Sequence, residues 1–450
     1  MSTRTIAAAA LAGAFVAWLV LRAGASPEPV NPPAGAPPAP GASKAAMNLA
    51  GTTSCSARGC HGALAPVSDP AAGHPVLQDE YSRWLVNDPH ARAYVVLGEP
   101  LSRQISTFLY GHPNAHTEAR CLACHTNPAA ARGEHGERFF GVGCESCHGN
   151  AQGTYLTQHT TAAWKKLTPQ EKAAAGLTNL RDGGALAANC AGCHIGAPAT
   201  DSHGNIVRDM NHDLIAAGHP RLAFEFSTFL ANLPPHWNPA FSAKHPREDA
   251  QWWAVGQLIS AESALDLLVN RAGHGRTDFA APWPEFAEYD CYACHHHLQG
   301  ESWRQQKRGY GKSQPGALPW GTWYFPLAEK LAPEAHDSLA KLAQEMGKPL
   351  PSADAVKQHA AAAKAALAKA RPGLKVDEVA LRRDLKAWLQ DSAKLPQTWD
   401  AAEQLFLASQ NLKPQADAKL LELRAYPQGQ NSPGAEFRPD EVYKLLKKGL

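Results

Sequence analysis

GVGCESCHG, residues 141–149, sets two cysteines three positions apart and follows the second at once with a histidine. The same order recurs as CLACH from Cys121, CAGCH from Cys190 and CYACH from Cys291. A looser version, CSARGCH, runs from Cys55 to His61 with four residues between the thiols instead of two. These five stretches use all ten cysteines of the 450-residue chain, two in each.

The pattern meets three separate requirements of a c-type haem. Two thiols reach the two vinyl groups on one porphyrin edge, and the next residue's imidazole lies under the iron as its proximal ligand. A structural zinc site needs four ligands and gives no reason for a histidine always at the following position. A disulfide framework in an exported chain leaves the five histidines unexplained, and so does a set of redox-active Cys-x-x-Cys sites. The sequence therefore predicts five c-type haems. Their thioethers are expected on Cys55, Cys60, Cys121, Cys124, Cys144, Cys147, Cys190, Cys193, Cys291 and Cys294, and their proximal ligands are His61, His125, His148, His194 and His295. In CSARGCH the two additional residues can bulge as a loop; the alternative is attachment through Cys60 alone, or a free Cys55.

The N-terminus agrees with a chain that leaves the cytoplasm. Arg4, an apolar run from Ile6 to Leu21 and the small residues Ala23-Gly24-Ala25 lay out a secretory signal over residues 1–25, with an uncleaved membrane anchor as the alternative. Residues 26–46 are too rich in Pro, Ala and Gly to build a core and read as an extended spacer. Loss of residues 1–25 removes Arg4 and Arg22 and no acid, leaving 41 basic against 41 acidic side chains. Five bis-histidine ferric haems, each contributing about −1 with its propionates, bring the net charge to about −5. That balance excludes nucleic acid as a partner.

A haem-bearing region is expected over residues 47–325, with short helices between Gly- and Pro-punctuated segments. From Asp249 to Ala272 apolar residues recur at helical spacing without an internal proline, which predicts one long helix packed on haems. Residues 326–450 carry no cysteine and alternate Ala, Lys and Leu, which predicts a helical bundle that braces the haem region. Ser352 and Asp377 read there as helix starts, Gly373 as a stop, and Leu381, Leu385 and Trp388 share one face.

The five proximal histidines leave sixteen others, and their placement decides the chemistry. A second imidazole closes an iron for electron transfer alone, whereas an open face admits a substrate. Over about residues 50–200 the chain resembles the cytochrome c-554 family. The likeness rests on GVGCESCHG, on Trp84 followed by His90-Ala91, and on His159 shortly after the CESCH stretch. It implies distal-ligand roles for His90 and His159, and an open iron at the haem of His125. This chain departs from the family in CSARGCH, in a fifth haem stretch, and in having no histidine between residues 160 and 189. A substitute ligand is expected first from RDMNHDLIAAGHPRLAFEF, where His212 and His219 lie seven apart and should face the same way on a helix; His219 is the leading choice, followed by His212 and by His116 in AHTEARCLACH.

The sequence therefore predicts a mainly α multihaem cytochrome c, with short helices around stacked haems and a C-terminal helical bundle. It is expected in the periplasm or elsewhere outside the cytoplasm, soluble or held by a membrane tether at its N-terminus. There it passes electrons between redox partner proteins. The competing reading is a reductase or oxidase of small nitrogen or sulfur oxides working at an open haem. Ammonia-forming nitrite reductases use a Cys-x-x-Cys-Lys site, and no cysteine here precedes a lysine.

Overall fold

The computed structural model describes residues 49–72, 74–127, 135–198, 207–244, 248–273, 283–291, 294–295, 317–392, 395–396, 398–412 and 439–449. The apolar run at Ile6–Leu21, the spacer at 26–46, His296 and His297 lie outside them. The fold is mainly helical, and its two-residue strands Gly196–Ala197 and Arg208–Asp209 pair antiparallel.

The spine is the Asp249–Arg271 helix, which begins where expected and ends one residue earlier than the apolar pattern. Leu258, Leu265 and Leu268 are fully buried on it. Each such side chain contributes about 1.5–3 kcal/mol relative to an exposed position. The Ala353–Ala370 helix packs on one side through Val356, Ala360, Ala363 and Leu367, all buried in the same core as the spine. On another side lies the Gly183–His194 helix. Its Ala187 and Ala191 are one turn apart, so two small side chains share a face and let it approach the spine closely. The fourth Cys-His stretch forms the last turn of that helix, and spine packing thereby fixes where its thiols and imidazole lie.

A second core gathers Trp253 of the spine with Leu381, Leu385 and Leu389 of the Glu378–Gln390 helix, Trp399 and Phe406 of the Trp399–Gln410 helix, and Tyr443. Trp388 packs at its margin. Ser352 and Asp377 are N-caps, accepting from the backbone N–H of Ala355 and Ala380 respectively. The Ala353–Ala370 helix passes into a 3-10 turn that closes at Gly373.

Between residues 49 and 245, Ala187, Ala191, Ile195, Phe224 and Phe226 join the spine core, and the other buried apolar clusters have three residues each: Leu97, Ala115 and Leu122; Ile105, Leu214 and Ala217; Ala151, Tyr155 and Trp164. The space among them is a continuous cavity of about 1650 Å³. A pocket for one small molecule measures about 300–1,000 Å³, so this one has room for more than a single group.

Candidate haem-binding site

Each of the first four Cys-His stretches sends both cysteines and its histidine to the wall of that cavity. CESCH forms the short helix Cys144–His148, and its glutamate fixes the register. Glu145 is buried and accepts from the backbone N–H groups of Ala50, Gly51 and Ala151 at 3.1, 2.9 and 2.8 Å, which ties the start of the folded region to this stretch. The glycine ahead of it is equally constrained. Gly141 has φ +61°, and a Cβ there would lie 2.4 Å from the His90 carbonyl oxygen. The next residue, Val142, donates its N–H to that same oxygen at 3.0 Å, so the GVG run holds His90 against the CESCH helix.

CSARGCH begins on the Thr52–Cys55 helix and turns back on itself. The Ala57 carbonyl accepts from both Cys60 N–H (2.8 Å) and Gly62 N–H (3.1 Å), leaving Arg58 and Gly59 exposed at the tip. The two additional residues are thus taken up in a tight surface turn. Thiols of different stretches also influence each other: Cys144 is pushed up by Cys55 beside it, and Cys124 by Cys193.

Every histidine that ends a Cys-His stretch faces one other imidazole. Ring centres are 6.3 Å apart for His61 and His159, 6.3 Å for His125 and His219, 6.2 Å for His148 and His236, 6.0 Å for His194 and His90, and 6.2 Å for His295 and His212. Two imidazoles bound to one metal from opposite sides, with metal–nitrogen distances of about 2 Å and about 1.1 Å from nitrogen to ring centre, stand about 6.2 Å apart. The spacing therefore fits an iron shared by each pair. The ring planes differ: 13° and 33° for the His61 and His295 pairs, but 75°, 83° and 78° for those of His194, His125 and His148.

Sequence reasoning placed four of the five facing histidines, His90, His159, His212 and His219, and missed His236. His116 instead stands on the 3-10 turn Ala115–Thr117 immediately before its own Cys-His helix, and no second imidazole faces it among the described residues. So short a connection keeps it beside the CLACH stretch and away from the opposite wall. His236 follows Leu233-Pro234-Pro235; two prolines that stiffen the chain ahead of a histidine were the available signal. The face over His125, expected to be open, holds His219.

His212 and His219 do not share a helix face, because the helix they were read from runs only from His212 to Ala216. Gly218, at φ +115°, ends it in a Schellman turn: His219 N–H donates to the Leu214 carbonyl and Gly218 N–H to that of Ile215, both at 3.0 Å. The turn sends the two imidazoles to different partners. His212 itself is set by its neighbours. Its N–H donates to Glu285 at 2.8 Å, and the strand before it is held by Arg271, which donates to Asp209, Glu288 and the Met210 carbonyl.

The outer nitrogens of these imidazoles meet different acceptors. His61 Nδ1 lies 2.9 Å from Glu80 Oε2, and His90 Nδ1 2.9 Å from Asp88 Oδ1. Those carboxylates hold both imidazoles above the ordinary histidine value. His125 and His219 find backbone carbonyls instead, those of Ala93 at 2.7 Å and Pro220 at 2.9 Å. Burial pushes His148 and His194 down to about 4, and holds His125, His219 and His236 below the ordinary value as well.

Mainly helical, with thiol pairs each followed by an imidazole, the chain has the features of a c-type cytochrome, the class that binds haem c covalently and exchanges electrons with redox partner proteins. Residues 55–149 match the family of cytochrome c554 and c-prime, so the resemblance read from the sequence holds over that segment. The matched segment includes the first three Cys-His stretches and His90, while the fourth and fifth stretches lie beyond it. No curated protein and no solved structure matches the chain.

Proposed function

We propose that this chain is an exported pentahaem c-type cytochrome that passes electrons between redox partner proteins and has no substrate site of its own. The observation that carries the reading is the set of five facing imidazole pairs at 6.0–6.3 Å, one for each Cys-His stretch. A bound haem supplies a one-electron ferric/ferrous couple at its iron.

The chain's own residues do the rest. The ten cysteines would hold the groups covalently, with His61, His125, His148, His194 and His295 as iron ligands and His159, His219, His236, His90 and His212 as their second ligands. Two imidazoles for each group would leave no position for a nitrogen or sulfur oxide. The mutual influence of Cys55 and Cys144, and of Cys124 and Cys193, favours close neighbours among the attached groups. The N-terminal 25 residues act as an export signal or as a membrane tether, and the helices after residue 326 brace the haem region through the spine. Among the described residues no helix is long and apolar enough to cross a membrane.

Low-temperature EPR of the oxidised protein tests the reading, with the haem number fixed by intact mass and spectra taken before and after nitrite or hydroxylamine. Parallel imidazoles donate into the same iron d orbital and split it from its partner; crossed imidazoles donate into both and leave them nearly degenerate, which spreads the g values. Five haems, all low-spin, with three strongly anisotropic signals and two ordinary ones, are expected from the three crossed and two flatter pairs. A high-spin signal that responds to nitrite would refute the carrier reading and favour an enzyme.

A further inference from the structure

Two of the five imidazole pairs carry a carboxylate on an outer nitrogen, and one short helix supplies both. Glu80 is the first residue of the Glu80–Asn87 helix and Asp88 its C-cap. Their carboxylates lie 2.9 Å from His61 Nδ1 and His90 Nδ1. Neither is a loose surface contact. Glu80 Oε1 also accepts from the N–H groups of Leu77 and Gln78, at 2.6 and 3.2 Å, which leaves Oε2 aimed at the ring. Asp88 is 5% exposed, and the oxygen that meets His90 Nδ1 also takes the His90 backbone N–H at 2.9 Å. Among the described residues, no carboxylate hydrogen-bonds an imidazole of the His125–His219, His148–His236 or His295–His212 pairs, and Glu80 and Asp88 reach the His148–His236 pair only through space. The first of these has backbone carbonyls, and His236 Nδ1 is buried without a partner.

We infer that Glu80 and Asp88 are positioning residues that make the haems of the first and fourth Cys-His stretches the low-potential members of the set. This rests on the five-pair reading above. A carboxylate accepting the Nδ1 proton raises the basicity of the nitrogen bound to the metal. A more basic imidazole stabilises the ferric iron, which carries one more positive charge than the ferrous, and the fixed negative charge acts in the same direction. A neutral carbonyl polarises the ring less and adds no net charge. The remaining three haems then lie higher, and an electron arriving from a donor protein settles among them before the two carboxylate-backed ones are filled. The electron is supplied and removed by the redox partner proteins, and no bond to the protein is made or broken.

The test is a spectroelectrochemical titration of the full-length holoprotein and of Glu80→Gln, Asp88→Asn and the double variant. Glu334→Gln, on an exposed turn after the spine, serves as the control. Gln and Asn keep an acceptor oxygen and lose the charge. Each single variant is expected to shift one component of the titration about tenfold in its ferric/ferrous ratio at fixed potential, which is 59 mV upward for one electron. The double variant shifts two components and the control none. If the unmutated protein has five low-spin haems and neither Glu80→Gln nor Asp88→Asn moves any component beyond the control, the inference is wrong while the five-pair reading stands. Should the unmutated protein have fewer haems or a high-spin iron, the reading and the inference both fall. If a variant does not take up its haems, the unmutated titration decides: two of five components grouped at the low end support the inference, and an even spread overturns it.

Discussion

Replacing His236 by alanine is the most direct challenge to the proposed ligand set, because His236 is the member that sequence reasoning did not find. Its ring stands 6.2 Å from that of His148, and its other close ring is Trp237 at 5.4 Å in an edge arrangement. Among the described residues its Nδ1 is buried without a hydrogen-bond partner, so truncation orphans no donor or acceptor there. A buried unsatisfied group costs about 1–3 kcal/mol, so its removal offsets much of the lost ring burial, and any larger loss of stability reports the missing iron ligand. The spectroscopic change should be large by contrast. One of five pairs loses an imidazole, and about a fifth of the low-spin EPR intensity should become high-spin. Free imidazole added to His236→Ala should restore it, since the side chain removed has the same chemistry. His116→Ala is the companion measurement and should leave the spin state untouched. If His236→Ala keeps its full low-spin intensity, or His116→Ala loses a fifth, the assignment from ring geometry is refuted.

Other substitutions test the framework. Asp400→Ala strips the buried bidentate partner from the half-buried Arg221, whose nitrogens donate to it at 3.0 and 2.9 Å, and should cost about 1.5–3 kcal/mol in a denaturant titration because two charge-assisted hydrogen bonds are lost. Gly141→Ala forces a side chain toward the His90 carbonyl at a left-handed backbone position; a loss of about 1–3 kcal/mol is expected, with the low-spin signal of the His194–His90 pair the first to broaden. Glu345 is held below the ordinary carboxylate value of 4.5: burial works upward, but the Lys348 ammonium and the Ser352 N–H outweigh it. The folded state therefore binds this proton less readily than the unfolded chain. Its contribution is fully present above pH 4.5 and is lost as pH falls through the folded value, so the melting-temperature gap between the unmutated protein and Glu345→Gln should be flat above pH 4.5 and narrow below it.

What could be read from the sequence divides along a physical line. Local rules made Ser352, Asp377 and the Asp249–Arg271 helix legible, because a cap and a helical face depend on residues within a few positions of one another. Pairing partners were not legible, because each is a meeting of distant segments: His236 reaches back to His148, and His194 to His90. The seven-residue spacing of His212 and His219 misled for a related reason. Periodicity assumes that the helix continues, while a Gly at position 218 can adopt the left-handed conformation that stops it. Glu145 was visible in the motif as a letter, but its role became readable only once Ala50 and Gly51 were seen to donate to it.

The uneven distribution of core explains why the haem region can be so poor in regular structure. After residue 250 two large apolar cores, joined through the spine helix, supply the burial that an ordinary domain needs. Before it, apart from the five residues that Gly183–His194 and the following segments give to the spine core, clusters of three buried residues border a cavity of about 1650 Å³, and side chains alone do not reach the close packing of protein interiors there. On the proposed reading, large apolar discs fixed by thioethers take the place of those missing side chains. Each disc is held at its edge by two cysteines and on its faces by two imidazoles, so chain segments with little helix of their own are fixed by the cofactor they bind. The Gly183–His194 helix is where the two regimes meet. Ala187 and Ala191 belong to the side-chain core, while Cys190, Cys193 and His194 face the cavity, so the spine holds one wall of the haem region rigidly and the remaining walls assemble against it.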